Sequence, residues 1–195
     1  MLTQDTARKW IDLFIEQILE NKDYLSELDT AIGDGDHGNN LARGANALTE
    51  ALQTKNPETL PDLLKVTGMT LVSKVGGASG PLLGSAFIGM AKASQDSDDL
   101  ATVLEAGLEG IQKRGKAVAG EKTMVDEWIP VVEAVKSKTL TSAFIEETVE
   151  KTKDIKATKG RASYLGDRSI GHIDPGAMSS SYLFKTMMEA GVYDE

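Results

Sequence analysis

Almost every apolar run in this chain repeats at three- and four-residue intervals, and none alternates apolar with polar residues as a half-buried strand does. That period restricts the chain to helices with one buried stripe each, packed on one another. The reading is all-α, with about eight helices, no internal repeat and no linker long enough to separate two domains. Residues 1–195 are therefore expected to form one domain, and a chain of this length buries a sound core.

The stops and starts follow from local chemistry. Trp10, Ile11, Phe14, Ile18 and Leu19 mark the first helix, and Leu41, Ala45, Leu48 and Leu52 mark a second that Asn56-Pro57 ends. Thr59-Leu60-Pro61 opens a third, closed at Gly76-Gly77. A fourth follows Ser79 with Pro81 in its first turn, and its Gly84, Ser85, Ala86, Gly89, Ala91 and Ala93 let neighbours approach closely. The stretch DSDDLATVLEAGLEGIQKRG has aspartates at its start and Lys113 and Arg114 at its end, which suits the helix dipole, with Gly115 expected just past the C-terminus. A further helix spans about 123–138 and should kink at Pro130. Another covers 141–159 and is closed by Gly160. Asp174-Pro175 reads as an N-cap with proline at N1, opening a last helix that ends at Gly191.

Three clusters are not needed for folding. In ELDTAIGDGDHGNN, Asp29, Asp34 and Asp36 crowd a helix end and a Gly-rich turn. Two carboxylates ~5 Å apart repel by about 3 kcal/mol at an effective dielectric near 20, so convergence of three calls for cations. Hard oxygen donors in a chain without cysteine suit Mg²⁺ or a similar ion. The alternative is that one or two aspartates cap turns and the rest face water. His37, Gly38, Asn39 and Asn40 begin the next helix, where backbone N–H groups suit phosphate. A second cluster, GGASGPLLGS, leaves backbone donors uncovered before a helix start, although a plain cap would look the same. The third, KGRASYLGDRSIGHIDPGA, carries Arg161, Arg168 and His172, a concentration of positive charge suited to phosphate in a chain of formal net charge -9.

Near-matches to other sites fail. GDGDHG has the G-x-G-x-x-G spacing, but a polar, helix-like segment precedes it where a dinucleotide fold needs a buried strand. As an EF-hand loop starting at Asp34, it has Asn39 where glycine and Ala45 where glutamate are required. Gly110–Ala117 approaches a phosphate-binding Walker loop but ends in Ala117, which has no hydroxyl for Mg²⁺; only its RGK portion near Gly115, leading to EKTMVD, reads as a functional loop near a nucleotide. Met124 stands as either core packing or a base contact. Composition excludes more: no basic stripe argues for nucleic acid or an anionic membrane, and the most apolar stretch, Pro81 to Ala91, is too short to span a bilayer. The absence of a long apolar run behind a basic start makes cytoplasmic location the expectation.

The four blocks LDTAIGDGDHGNN, GGASGPLLGS, QKRGKAVAGEKTMVD and KGRASYLGDRSIGHIDPGA together resemble the nucleotide-binding L subunits of bacterial dihydroxyacetone kinases. More narrowly, they resemble the form that takes phosphate from the phosphoenolpyruvate:sugar phosphotransferase system. The resemblance implies an antiparallel eight-helix barrel with the nucleotide in loops at one end. It implies that Asp29, Asp34 and Asp36 hold two Mg²⁺ ions on the phosphates of ADP or ATP. His37, Gly38, Asn39, Asn40, Ala78, Ser79 and Gly80 would contact the nucleotide, and Gly115 and Met124 would lie near adenine or ribose. Arg161 would act at the transferred phosphoryl, with Asp34 and Asp36 as the other catalytic groups, while Asp174, Pro175 and Gly176 close the site. ADP would be a bound coenzyme, rephosphorylated by a phosphohistidine-carrying M subunit. Its γ-phosphoryl would then pass to dihydroxyacetone on a K subunit. At 195 residues the chain has no room for a K-like domain and would work only with these partners; a homodimer is left open. Three rival readings remain: a carrier phosphorylated on His37 or His172, a regulatory nucleotide-binding module, and a related acyl-phosphate-forming kinase that uses a similar nucleotide domain.

Overall fold

The computed structural model describes residues 1–194, which contain eight α-helices, two 3-10 helices and no strand. The helices are α1 (Gln4–Ile32), α2 (His37–Lys55), α3 (Leu60–Lys74), α4 (Ser79–Ala93), α5 (Leu100–Gly115), α6 (Val125–Lys136), α7 (Ser142–Lys151) and α8 (Pro175–Glu189). Short 3-10 helices occupy Thr152–Asp154 and Arg161–Ser169. Asp174 caps α8 as expected, accepting from Ala177 N, and at three other starts read from sequence Thr59 accepts from Asp62 N, Asp99 from Thr102 N and Thr141 from Phe144 N. Thr3 and Thr6 close a reciprocal capping box on α1.

Each helix packs on the next, and α8 returns to α1, which closes a ring. Trp10 of α1 donates its indole N–H to Leu183 O of α8 at 2.7 Å, while the N-terminus of the chain reaches Gly191 O. Residue numbers therefore rise along one helix as they fall along the other. The same holds where Gly68 meets Gly84 and Leu71 meets Gly80 between α3 and α4, and where Ser85 meets Gly110 and Gly89 meets Ala106 between α4 and α5. Here the small residues set the spacing. A Cβ on Gly89 would lie 2.4 Å from Ala106 O, and one on Gly84 would lie 2.8 Å from Gly68 O. The core enclosed by the ring contains Trp10, Phe87, Trp128 and Phe184, with the Trp128 and Phe184 rings edge-on at 4.9 Å between centroids.

Two expected boundaries moved. The helix expected over 141–159 stops at Lys151, because Thr152 turns inward, its hydroxyl donating to Val149 O and accepting from Asp174 N. Gly115 is the last residue of α5 rather than the residue past it; Lys116 takes the left-handed conformation, with φ 58. The backbone of Gly115 lies against Leu82, where a Cβ would come within 2.8 Å of Cδ2.

Glu127 is fully buried on α6 and receives a hydrogen bond from Thr148 of α7, while its Oε1 has no partner among the described residues. Burial pushes its pKa from 4.5 up to about 8, against the opposing pull of the Thr148 bond and Lys185. Between those values the folded chain holds a proton that the unfolded chain has lost, so stability falls as pH rises through that window. Glu127→Gln is expected to flatten the decline in melting temperature between about pH 5 and pH 8, as read by thermal denaturation across that range.

Candidate functional site

A cavity of about 670 Å³ lies where α1 meets α2, α3 meets α4, α5 meets α6 and α7 meets α8, and all four connections line it. The alternating ring puts these four connections at one end, together with the starts of α2, α4, α6 and α8. Helix starts expose N–H groups and the positive end of the dipole, so this end of the ring suits an anion.

Its acidic corner is the predicted one. Asp29, Asp34 and Asp36 each bring a carboxylate oxygen within 4.8 Å of the others. They differ in local role. Asp29, in the last turn of α1, accepts from the backbone N–H groups of Asp36 at 3.0 Å and His37 at 3.1 Å. It thereby caps α2, whose own N-cap residue, Asp36, makes no side-chain cap bond. Asp34 and Asp36 are exposed, and Arg161 forms an ion pair with Asp34 from across the cavity mouth. Both partners of that pair are open to solvent, so it adds little to stability.

His37 is turned inward. Its Nδ1 lies 2.9 Å from Ser79 Oγ and its Nε2 3.0 Å from Ser179 Oγ, which ties the first turns of α2, α4 and α8 together. Burial lowers its pKa to about 4, with Asp36 pulling the other way, so the ring is neutral at pH 7. Asp174 is buried at the start of α8, and burial raises its pKa to about 7; the Ala177 N–H and Lys122 oppose the rise, whereas Asp126 and Asp29 add to it. Opposite the acidic corner, Leu82, Ile111 and Met124 form an apolar wall beside Gly115, so Met124 both packs in the core and lines the cavity.

Of the residues picked from sequence, Asp29, Asp34, Asp36, His37, Asn40, Ala78, Ser79, Gly115, Met124, Arg161, Asp174, Pro175 and Gly176 line this one cavity. Gly38, Asn39 and Gly80 do not. Two of these are packing glycines: a Cβ on Gly38 would lie 1.7 Å from Lys22 O, and one on Gly80 would lie 2.5 Å from Val75. Asn39 and Arg168 are exposed outside it. Arg114 and Lys122, the latter almost wholly buried, also line the cavity and fall in the RGK and EKTMVD stretches expected near the nucleotide, whereas no role was read from sequence for Leu82, Ile111 and Lys159 on its wall. For Ile111 the only signal was its spacing of four residues, about one helical turn, from Gly115.

The DAK2 domain family matches residues 31–189. Over 193 residues the chain is 57% identical to the ADP-binding subunit DhaL of PEP-dependent dihydroxyacetone kinase 1 from Listeria innocua serovar 6a, covering 97% of this chain and 98% of that one. Over 189 residues it is 53% identical to the ADP-binding subunit DhaL of the PTS-dependent dihydroxyacetone kinase from Lactococcus lactis subsp. lactis, covering 97% and 98%. The crystal structure of the C. freundii dihydroxyacetone kinase in complex with AMP-PNP and Mg²⁺ shares the fold, with a TM-score of 0.75 and 22% identity over 93% of this chain and 33% of that one.

Because Asp29 caps α2 and Asp36 only crowds the cluster, their removal should separate. In metal-free buffer, Asp29→Ala is expected to lose about 1–2 kcal/mol in chemical denaturation, whereas Asp36→Ala stays within about 0.5 kcal/mol of the parent. Equal losses would contradict the capping role.

Proposed function

The chain belongs to the DAK2-domain family of ADP-binding DhaL subunits of phosphoenolpyruvate-dependent dihydroxyacetone kinases, and from that premise we propose that its cavity holds ADP as a resident coenzyme with two Mg²⁺ ions. The observation that carries this reading is the convergence of three carboxylates within 4.8 Å at one corner of a cavity otherwise walled by helix starts and apolar side chains.

The donor set fits a hard divalent cation. It is made of carboxylate oxygens, the chain has no cysteine, and both nitrogens of His37 are already engaged by serines. Asp29, Asp34 and Asp36 would hold the metal. ADP carries roughly three negative charges and the aspartates three more; two Mg²⁺ return four, and Arg161 with the helix starts offsets the remainder. When bound, the metal neutralises charge developing on the transferred phosphoryl. The chain's own residues do the positioning. The backbone at Ala78 and Ser79 faces the phosphates, Gly115 and Met124 receive the base and ribose, and Asp174, Pro175 and Gly176 close the floor. Arg161, carried over the acidic corner, brings its guanidinium to the phosphoryl, and Asp34 and Asp36 complete the catalytic set.

In this reading the phosphoryl group passes from a phosphohistidine of an M subunit onto the bound nucleotide, and from there to dihydroxyacetone on a K subunit. The cavity mouth serves both partners in turn. Residues 1–195 act as one nucleotide-binding domain in the cytoplasm. No described helix is long and apolar enough to cross a membrane. Against a carrier phosphorylated on His37 stands its burial between two serine hydroxyls, which engage both ring nitrogens; His172 is exposed and lies outside the cavity lining, so the labelling test below decides for it.

Denaturing the purified protein should release stoichiometric ADP together with magnesium, and Asp34→Ala and Asp36→Ala should lose both while remaining folded. A folded Asp34→Ala protein that keeps its ADP overturns the metal-bridge assignment. After phosphorylation by the M subunit, label that leaves with extracted nucleotide supports the coenzyme reading, and acid-labile label that stays on the polypeptide supports the carrier.

A further inference from the structure

Met124 and Arg161 stand on different connections, one between α5 and α6 and the other between α7 and α8, and the two must keep a fixed separation to grip one nucleotide. Lys122 joins them. Its side chain is among the largest fully buried ones, at 1% exposure, and no carboxylate among the described residues is bonded to it. Instead its Nζ donates to three backbone carbonyls, those of Thr152, Ile155 and His172, the Ile155 bond at 3.1 Å. An ammonium has three donors, so each is used. Two of these carbonyls belong to the segment leaving α7 and the third to the segment entering α8, so one cation gathers both ends of the Arg161-bearing connection. Lys122 sits at φ 63, a backbone conformation that a side-chain-bearing residue rarely adopts.

The surrounding bonds point the same way. Thr158 N donates to Glu121 O at 3.2 Å, and Lys159 Nζ to Lys116 O at 3.1 Å. Gly171 N donates to Lys153 O at 2.7 Å, and Asp174 N to Thr152 Oγ1 at 3.0 Å. Asp174, Asp126 and Asp154 balance the charge without bonding to it.

We propose that Lys122 is a positioning residue: its ammonium, caged by the carbonyls of Thr152, Ile155 and His172, cross-links the two connections and sets the spacing between the Met124 and Arg161 sides of the nucleotide cavity. The proposal rests on the ADP-binding reading above. It assigns Lys122 no contact with the nucleotide, because all three of its donors point into the carbonyl cage. What it supplies is a fixed distance. A neutral side chain of similar length leaves three buried carbonyls without a donor and lets the Arg161-bearing connection drift from the base-binding wall.

The test is a titration of ADP with Mg²⁺ into stripped wild-type protein, Lys122→Met and Lys122→Arg, with melting temperatures recorded with and without ADP. Wild-type protein that does not bind ADP sinks the nucleotide reading itself and this proposal with it. If wild-type binds, Lys122→Met is expected to bind at least about tenfold more weakly, since small displacements of positioned groups carry effects of that size. Lys122→Arg keeps the charge but cannot aim a planar head at three convergent carbonyls, and should fall between the two. The gain in melting temperature from a fixed ADP concentration should shrink in the same order. A lysine that merely stabilises the fold would lower melting temperatures equally with and without ADP and leave affinity unchanged. Wild-type affinity in either folded variant overturns the proposal, and if Lys122→Met does not fold, Lys122→Arg decides it by the same criterion.

Discussion

Three carboxylates whose oxygens lie within 4.8 Å of one another repel, and the rest of the site is organised around that repulsion. Part of it is relieved inside the protein. Asp29 spends one oxygen on two N–H groups at the start of α2, and Arg161 spans the mouth to Asp34. What remains is a concentration of charge that a divalent cation can use, placed beside helix starts that favour phosphate. Each feature alone is common in proteins. Their combination in one cavity is what gives the site its chemistry.

The ring makes that combination unavoidable. Because neighbouring helices alternate in direction, the four connections that follow odd-numbered helices gather at one end, along with the starts of the even-numbered ones. Close packing through Gly68, Gly84, Gly89 and Gly110 holds α3, α4 and α5 near enough for their ends to share a wall. Two polar joints then lock the ends together. His37 links the first turns of α2, α4 and α8 through Ser79 and Ser179, and Lys122 links the two long connections through carbonyls. His37 and Lys122 are both buried in the cavity lining, so these joints hold the geometry of the open end.

What the sequence revealed was what depends on neighbours along the chain. Helix periods, the helix start at Thr59, the Asp174 cap and the crowding of Asp29, Asp34 and Asp36 are local features, and the structure has them where they were expected. What it concealed depends on residues far apart in sequence. The helix after Thr141 looked continuous to Gly160, but Thr152 is taken by Asp174 and Lys122, 22 and 30 positions away. His37 lines the cavity, but its serine partners, 42 and 142 positions distant, which engage both ring nitrogens, could not be read from its neighbours in sequence. Gly38 and Gly80 looked like bare backbone for a phosphate because a glycine that admits a ligand and one that admits a neighbouring helix read alike. Lys122 fell in a stretch expected near the nucleotide, but its caging carried no signal, since nothing local distinguishes a caged lysine from a solvated one.

In the proposed site the aspartates reach the nucleotide only through metal. Calorimetric titration of ADP into stripped protein, once with Mg²⁺ and once with EDTA, measures that coupling directly. The account predicts affinity lower by about a hundredfold or more without metal, and an equal gain in metal affinity when ADP is present. Equal ADP affinity in the two buffers would contradict it.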